Sequence, residues 1–373
     1  MKKIVSLLIC MALILTSVSA AFGATSYDSY KITKTNKMVI MRVSYATAEF
    51  NEGLGGVMCA VPEKDTDVYT LYDVVIWSDR ICLYKFKGNI DDAATKYIDK
   101  NYDMSKLNTY EKYAKAWRAF RDSRCLKTVK VKSVEGKPSK NSSARLSAYK
   151  AFFDIIKKKS PSKHVAIKYS GHGGDKTFCA SLSEKDTKTL LKYGVKKFGQ
   201  KFAFIDYGTN CASGTTSILD FYADYTDYMV VNQLDFGGWQ WDSDKDFQKY
   251  YDTVDTDAVY HKMFVKGEKT ADAVKRIGKQ HKKNWPYGAK YMKKHKIPQS
   301  VTVVKMKPYK ALMAKLAKKY IPYHNDLKKS IKSFKSDALL TRYNNSFIYF
   351  ARNNKQLGTW KASSYGYGVW YTS

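Results

Sequence analysis

The stretch HVAIKYSGHGGDKTF, residues 164–178, runs strand-forming residues from Val165 to Tyr169 straight into Ser170-Gly171-His172-Gly173-Gly174. A second stretch has the same form: KFAFIDYG, 201–208, leads into TNCASGTT, which carries Cys211, 39 residues after His172. β-Branched and aromatic residues suit a pleated, buried surface, and glycine lets a chain turn sharply or approach a ligand closely. Two such strands, each ending in a short loop, predict an α/β fold with its chemistry at the carboxyl edge of the sheet.

Working outward, KMVIMRVSY (38–45 with its leading lysine), YDVVIWSDR (72–80), DYMVVNQ (227–233) and SVTVVKM (300–306) read as further strands. Helical spacing of apolar residues appears in 108–125, 142–159, 183–199 and 310–334. Ser142 or Ser143 is the expected cap of the second of these, and Gly199 closes the third. The tail from Ser346 reads as two closing strands, and 131–143 as an exposed polar loop. Strands alternating with helices predict a three-layer sandwich: a mostly parallel central sheet with helices on both faces.

The chain has 373 residues with 44% hydrophobic content, enough for one sizeable core. Lys2 and Lys3, the apolar run Ile4 to Leu15 and small residues up to Ala24 read as a secretion signal over 1–24. The organisation expected is therefore this leader, a catalytic domain over 25–310, and a C-terminal helix with closing strands over 311–373 packed on it. No later segment has the length and apolarity of a membrane span. Removing Cys10 with the leader leaves Cys59, Cys82, Cys125, Cys179 and Cys211, so an exported chain keeps at least one unpaired thiol. No C-x-x-C pair offers a zinc site.

Lys and Arg outnumber Asp and Glu by 65 to 34, a formal charge of +31. Such a field favours anionic surfaces or polymers. The lysines are scattered along the chain and no base-reading motif accompanies them, so specific nucleic-acid binding is not expected.

His172 and Cys211 are the residues to which these patterns point. A thiol attacks as thiolate, and a neighbouring imidazole is what generates it. The N–H groups of Gly173 and Cys211 would hold the oxyanion of a tetrahedral intermediate. On the residues alone this reads as a catalytic thiol–imidazole dyad of an exported protein, and the sequence does not separate peptide hydrolysis from acyl transfer or another cysteine-hydrolase reaction at it. The alternative is a non-catalytic, lysine-rich binding protein that adheres to anionic surfaces.

At these two loops the sequence resembles the cysteine-peptidase clan of caspases, legumain, gingipains, separase and clostripain. YSGHGG is similar to its histidine block and NCASG to its cysteine block. DVVIWSDR, DFYADYTDYMVVNQLDFGGW, SVTVVKMKPYKALMAKLA and YGYGVWYTS resemble segments of the clostripain-like branch. The resemblance spans about 38–373. It implies a secreted cysteine endopeptidase with a caspase-like sandwich fold, acting on protein or peptide substrates through a His172–Cys211 dyad and an acyl-enzyme, with cleavage after Arg or Lys and self-processing between the two catalytic strands, where Lys176, Lys185 and Lys188 lie. It implies no resident cofactor. Some relatives use calcium, but no calcium-loop pattern is present here, and DSDKD (242–246) reads as a solvated turn.

The sequence departs from the family where a basic side chain would bind. Thr209 stands two positions before the cysteine, where relatives commonly have an acid, and the turn before Gly237-Gly238-Trp239 is short. A buried cation needs a carboxylate partner. Asp235 is the candidate, with Asp206 and Asp242 behind it, and Trp239 and Trp241 would wall the substrate cleft.

Overall fold

The computed structural model describes residues 30–33, 37–45, 69–86, 90–132, 140–160, 162, 164–170, 176–208, 210, 213–232, 267–294, 300–319 and 327–352. Its centre is five parallel strands: β1 (Met38–Tyr45), β2 (Tyr69–Ile76), β5 (Val165–Ser170), β6 (Phe202–Tyr207) and β7 (Thr226–Val231). Antiparallel strands close each side: β3 (Arg80–Phe86) and β4 (Cys125–Lys130) beyond β2, β8 (Ser300–Lys305) and β9 (Phe347–Arg352) beyond β7. The nine strands run in the order β4-β3-β2-β1-β5-β6-β7-β8-β9.

The layers follow from burial. All six residues of β6 are buried, so both faces of this strand must be covered. On one face lie α1 (Ile90–Asn101), α2 (Tyr110–Ser123) and α6 (Thr270–Lys294), which contribute Ala94, Ile98, Trp117, Phe120, Val274 and Ile277 to a core with Ile40, Ala166 and Phe204. On the other lie α3 (Ser142–Lys159), α4 (Glu184–Phe198), α5 (Thr216–Tyr222) and α7 (Met306–Leu316), packing Phe152, Leu190, Leu219 and Tyr309 against Val43, Ile167 and Ile205. A third cluster joins α7 to α8 (Leu327–Ser333) and α9 (Asp337–Ser346) through Leu312, Leu316, Ile331 and Tyr343. The molecule is thus the mixed α/β sandwich expected.

Details differ from the sequence reading. The expected strand 72–80 is two: β2 ends at Ile76, and Arg80 already begins β3 running back beside it. The expected helix 108–125 stops at Ser123, because Cys125 opens β4. Asn141, not a serine, is the cap position of α3; the Ser142 hydroxyl instead bonds Asp186 at the start of α4. The expected helix 310–334 is α7 and α8, and Pro322, which cannot donate to a helix, falls between them in sequence. Of the tail, β9 is described, and 353–373 lie outside the described residues.

Candidate active site

β5 and β6 are parallel neighbours, with Ile167 beside Ile205 and Lys168 beside Asp206. Both chains therefore leave the sheet at the same edge, from Ser170 and Tyr207. His172 is two residues beyond the first and Cys211 four beyond the second. His172, Gly173, Thr209, Cys211, Asp235, Trp239, Trp241 and Asp242 all lie outside the described residues.

The anchors on both sides of Cys211 are described. The Gly208 N–H donates to Asp206 Oδ1 at 2.9 Å, and the Asn210 N–H to the Tyr207 carbonyl at 3.0 Å. The Ser213 hydroxyl donates to the Tyr207 carbonyl at 2.8 Å and accepts the Asn232 N–H at 2.9 Å. Gly214 N–H returns to the Asn232 carbonyl at 2.9 Å, and Ser300 donates to Asn232 Oδ1 at 2.7 Å. One buried hydroxyl therefore ties the end of β6, the loop after it and the end of β7. Thr215 then caps α5, accepting from the Ile218 N–H at 3.3 Å. Gly208 has a steric reason as well: a Cβ there would sit 3.0 Å from the His281 ring and 3.1 Å from Asp206 Oδ1.

A row of charges crosses the sheet just beneath this edge. Asp73, Arg42, Lys168 and Asp206 occupy matching positions on β2, β1, β5 and β6. Asp73, Lys168 and Asp206 are buried. Arg42 grips Asp73 with two hydrogen bonds, Nε to Oδ1 at 2.7 Å and Nη2 to Oδ2. His281, buried on α6, places Nε2 3.2 Å from both oxygens of Asp206. Burial alone would raise the Asp206 pKa; the charge and hydrogen bond of His281, the charge of Lys168 and the Gly208 N–H overcome it and bring the group down to about 2. Asp73 goes the other way, because burial outweighs the Arg42 partner.

This enclosure removes Asp206 from the carboxylates expected to receive a basic substrate side chain. Its oxygens already serve His281 and the Gly208 N–H, and it is 1% exposed. The sequence offered Asp206 as a position in a strand; its partner 75 residues away on α6 carries no local signal.

The segment from Phe178 to Ser181, which follows the glycine-rich stretch bearing His172 in sequence, is held as firmly. Cys179 and Ala180 both adopt left-handed backbone angles, φ 52° and 49°, unusual for two successive non-glycine residues. Such conformations persist only where surrounding contacts enforce them. Here Tyr45 donates to the Ala180 carbonyl at 2.7 Å, the buried Arg145 donates Nε–H to the Ser181 carbonyl, and the Phe178 N–H donates to Thr187 Oγ1 at 2.8 Å. The Cys179 sulfur lies fully buried 4.0 Å from the Tyr207 hydroxyl, and burial raises its pKa well above an ordinary thiol. It is an inert packing residue. Among the described residues no cluster of three His, Cys, Asp or Glu side chains could hold a metal, and no helix is long and apolar enough to cross a membrane.

No protein-family model and no curated protein matches the chain. Solved structures of similar fold are C11, that is clostripain-like, cysteine proteases. A secreted C11 protease from Bacteroides thetaiotaomicron, bound to an irreversible peptide inhibitor, has 11% identity and a TM-score of 0.49, covering 85% of each chain. An inactive zymogen C11 protease from Parabacteroides distasonis has 11% identity and a TM-score of 0.46, over 92% of this chain and 90% of that one. The secreted B. thetaiotaomicron protease called iotapain has 10% identity and a TM-score of 0.48, over 85% and 87%. At this identity and TM-score the likeness concerns overall architecture, and what this chain does rests on its own residues.

Proposed function

We propose that the chain is a secreted cysteine endopeptidase with Cys211 as nucleophile and His172 as acid and base. The observation that carries this reading is the parallel adjacency of β5 and β6, which starts the histidine and cysteine segments from neighbouring points on one edge. Two and four residues of chain are ample to bring an imidazole and a thiol within hydrogen-bonding reach.

In the reaction the Cys211 thiolate attacks the peptide carbonyl, and the oxyanion is met by the N–H groups of Gly173 and Cys211. His172, protonated, gives its proton to the departing amine. Water, deprotonated by the same imidazole, then releases the acyl group. The Asp206–Gly208 and Ser213–Tyr207–Asn232 anchors hold the cysteine loop, so alignment costs little entropy at the moment of attack.

Asp235 is the carboxylate that would receive a Lys or Arg before the scissile bond, and Trp239 would wall the cleft beside it. Self-processing falls at Lys176. Lys185 and Lys188 lie inside α4, whose hydrogen-bonded backbone is a poor substrate, whereas Lys176 stands at a bend before the first short helical turn.

The test is digestion of a mixed peptide library by the wild type, Cys211→Ala and His172→Ala, with cleavage sites read by mass spectrometry. Wild-type cleavage after Lys and Arg is expected, with at least ~10³-fold loss in both variants. Equal cleavage by wild type and Cys211→Ala would sink the proposal. The charge of +31 favours a second reading, an adhesive protein of the same fold without turnover. Iodoacetamide at neutral pH separates the two: labelling of Cys211 that slows in His172→Ala supports the enzyme, and equal labelling in wild type and His172→Ala supports the adhesin.

A further inference from the structure

Cys82 and Cys125 meet on the outer antiparallel pair of the sheet, separated from β6 by β2, β1 and β5. Cys82 in β3 faces Thr128 in β4, and the register breaks between Leu83 and Tyr84. Leu83 faces Lys127 whereas Tyr84 faces Cys125, so Leu126 is the extra residue of a bulge. In an unbroken ladder Leu126 would face Tyr84, and Cys125 would point to the opposite side of the sheet. The bulge brings Cys125 to the face that carries Cys82. Contacts agree: the Thr128 hydroxyl lies 3.5 Å from the Cys82 sulfur and 3.4 Å from the Cys125 sulfur.

We infer that Cys82 and Cys125 are a disulfide site, closed after export by exchange with an external disulfide and stapling the exposed edge strand β4 to β3. Both sulfurs border the same hydroxyl, one diagonal step apart across the pair, so the two side chains share one spot on this face. The two thiols also act on each other directly. The Cys125 thiol is the largest influence lowering the Cys82 pKa to about 5, against the opposing effect of burial and with help from Thr128, Tyr84 and Arg80. That contact favours the thiolate form of Cys82, the form that attacks a disulfide in the closing step.

Exposure assigns the order of events. Cys82 is 3% exposed, while Cys125 is only part-buried and is the sulfur that a small disulfide can reach. Cys125 gives up its proton and attacks oxidised glutathione, forming a mixed disulfide and releasing one glutathione thiolate. The Cys82 thiolate then attacks the Cys125 sulfur, forms the protein disulfide and expels the second. The two protein thiol protons end on the two released thiolates, and the two electrons lost by the protein reduce the glutathione disulfide. The leader expected over residues 1–24 would send the chain to an oxidising compartment, where such a bond persists. Pairing these two leaves Cys59, Cys179 and Cys211, consistent with an odd thiol kept for chemistry.

The location gives the bond a purpose. β4 is the outermost strand on its side and has no fully buried residue. The crosslink would close a long loop containing α1 and α2, and restricting a long loop constrains the unfolded chain strongly.

The experiment treats the purified full chain with excess oxidised glutathione, quenches in acid, and maps peptides without reduction. The expected product is two hydrogens lighter, with the Cys82 peptide joined to the Cys125 peptide, and its urea midpoint is higher than that of the reduced protein. Cys125→Ser, a mild change at a part-exposed position, should lose both the link and the midpoint difference. Independent alkylation of both sulfurs after oxidation, a persistent glutathione adduct on Cys125, or an unchanged midpoint difference in Cys125→Ser would each overturn the assignment. Cys211→Ala should form the bond normally, so this result stands apart from any result on peptidase activity.

Discussion

Asp206 and Ser213 show how much a single side chain does at this edge. Asp206 is ionised in a fully buried position and its folded pKa, about 2, lies below the ordinary value of 3.8. A carboxylate depressed in this way stabilises the fold above its unfolded pKa, and the benefit disappears as pH falls through the folded value. Asp206→Asn should therefore cost on the order of 2 kcal/mol at neutral pH. The difference from wild type should shrink between about pH 4 and pH 2, as read by urea unfolding at a series of pH values. Asp73 has the opposite sign, since its pKa is raised, and being present in both proteins it cancels in that comparison. A pH-independent difference would mean that Asp206 is not charged in the fold. Ser213→Ala removes the hydroxyl that joins Tyr207 to Asn232 and leaves those groups underserved, costing about 1–3 kcal/mol. If the loop positions Cys211, steady-state kinetics of this variant should show kcat falling while KM holds. A fall in stability alone would make Ser213 purely structural.

At the scale of elements, two glycines set how closely helices approach the sheet. A Cβ on Gly194 of α4 would lie 2.5 Å from the Phe202 ring of β6 and 2.8 Å from Phe153 of α3. One on Gly278 of α6 would lie 2.7 Å from both Val303 of β8 and Tyr349 of β9. Gly194→Ala and Gly278→Ala should each destabilise by about 1–3 kcal/mol through overpacking, despite alanine's better helix propensity. Gly199 provides the contrast. It has open space around it but a φ of +78°, so Gly199→Ala should cost about 1 kcal/mol through backbone strain alone. Thermal unfolding of the three variants separates the two causes.

Elements with strong local punctuation were legible. α4 lies between Ser183, which caps it, and Gly199, and its bounds follow from those residues. β3 and β4 were not legible. Only Trp77, Ser78 and Asp79 separate β2 from β3, so the two read as one strand, and CLKTVK continues the basic pattern of the arginine-bearing end of the preceding helix. An edge strand buries little and carries little hydrophobic signature.

For the whole molecule, the charge of +31 is a long-range property that no single site explains. Retention on an immobilised polyanion should fall steeply between low and physiological salt, as the Debye length contracts to about 8 Å. Cys211→Ala should elute with the wild type, because the field does not depend on the nucleophile. Salt-independent retention would point instead to a defined binding pocket.

The amino-acid sequence by itself determined the alternation of strands and helices, the glycine-rich segments bearing His172 and Cys211, and the charge. Each is a local pattern, set by side-chain chemistry within a few residues. Tertiary structure alone decided that β5 and β6 are neighbours and that Asp206 is enclosed by His281 and Lys168. It also decided that a bulge turns Cys125 toward Cys82. Those facts depend on which strands pair and in what register, and a shift of one residue would send every one of these side chains to the opposite face.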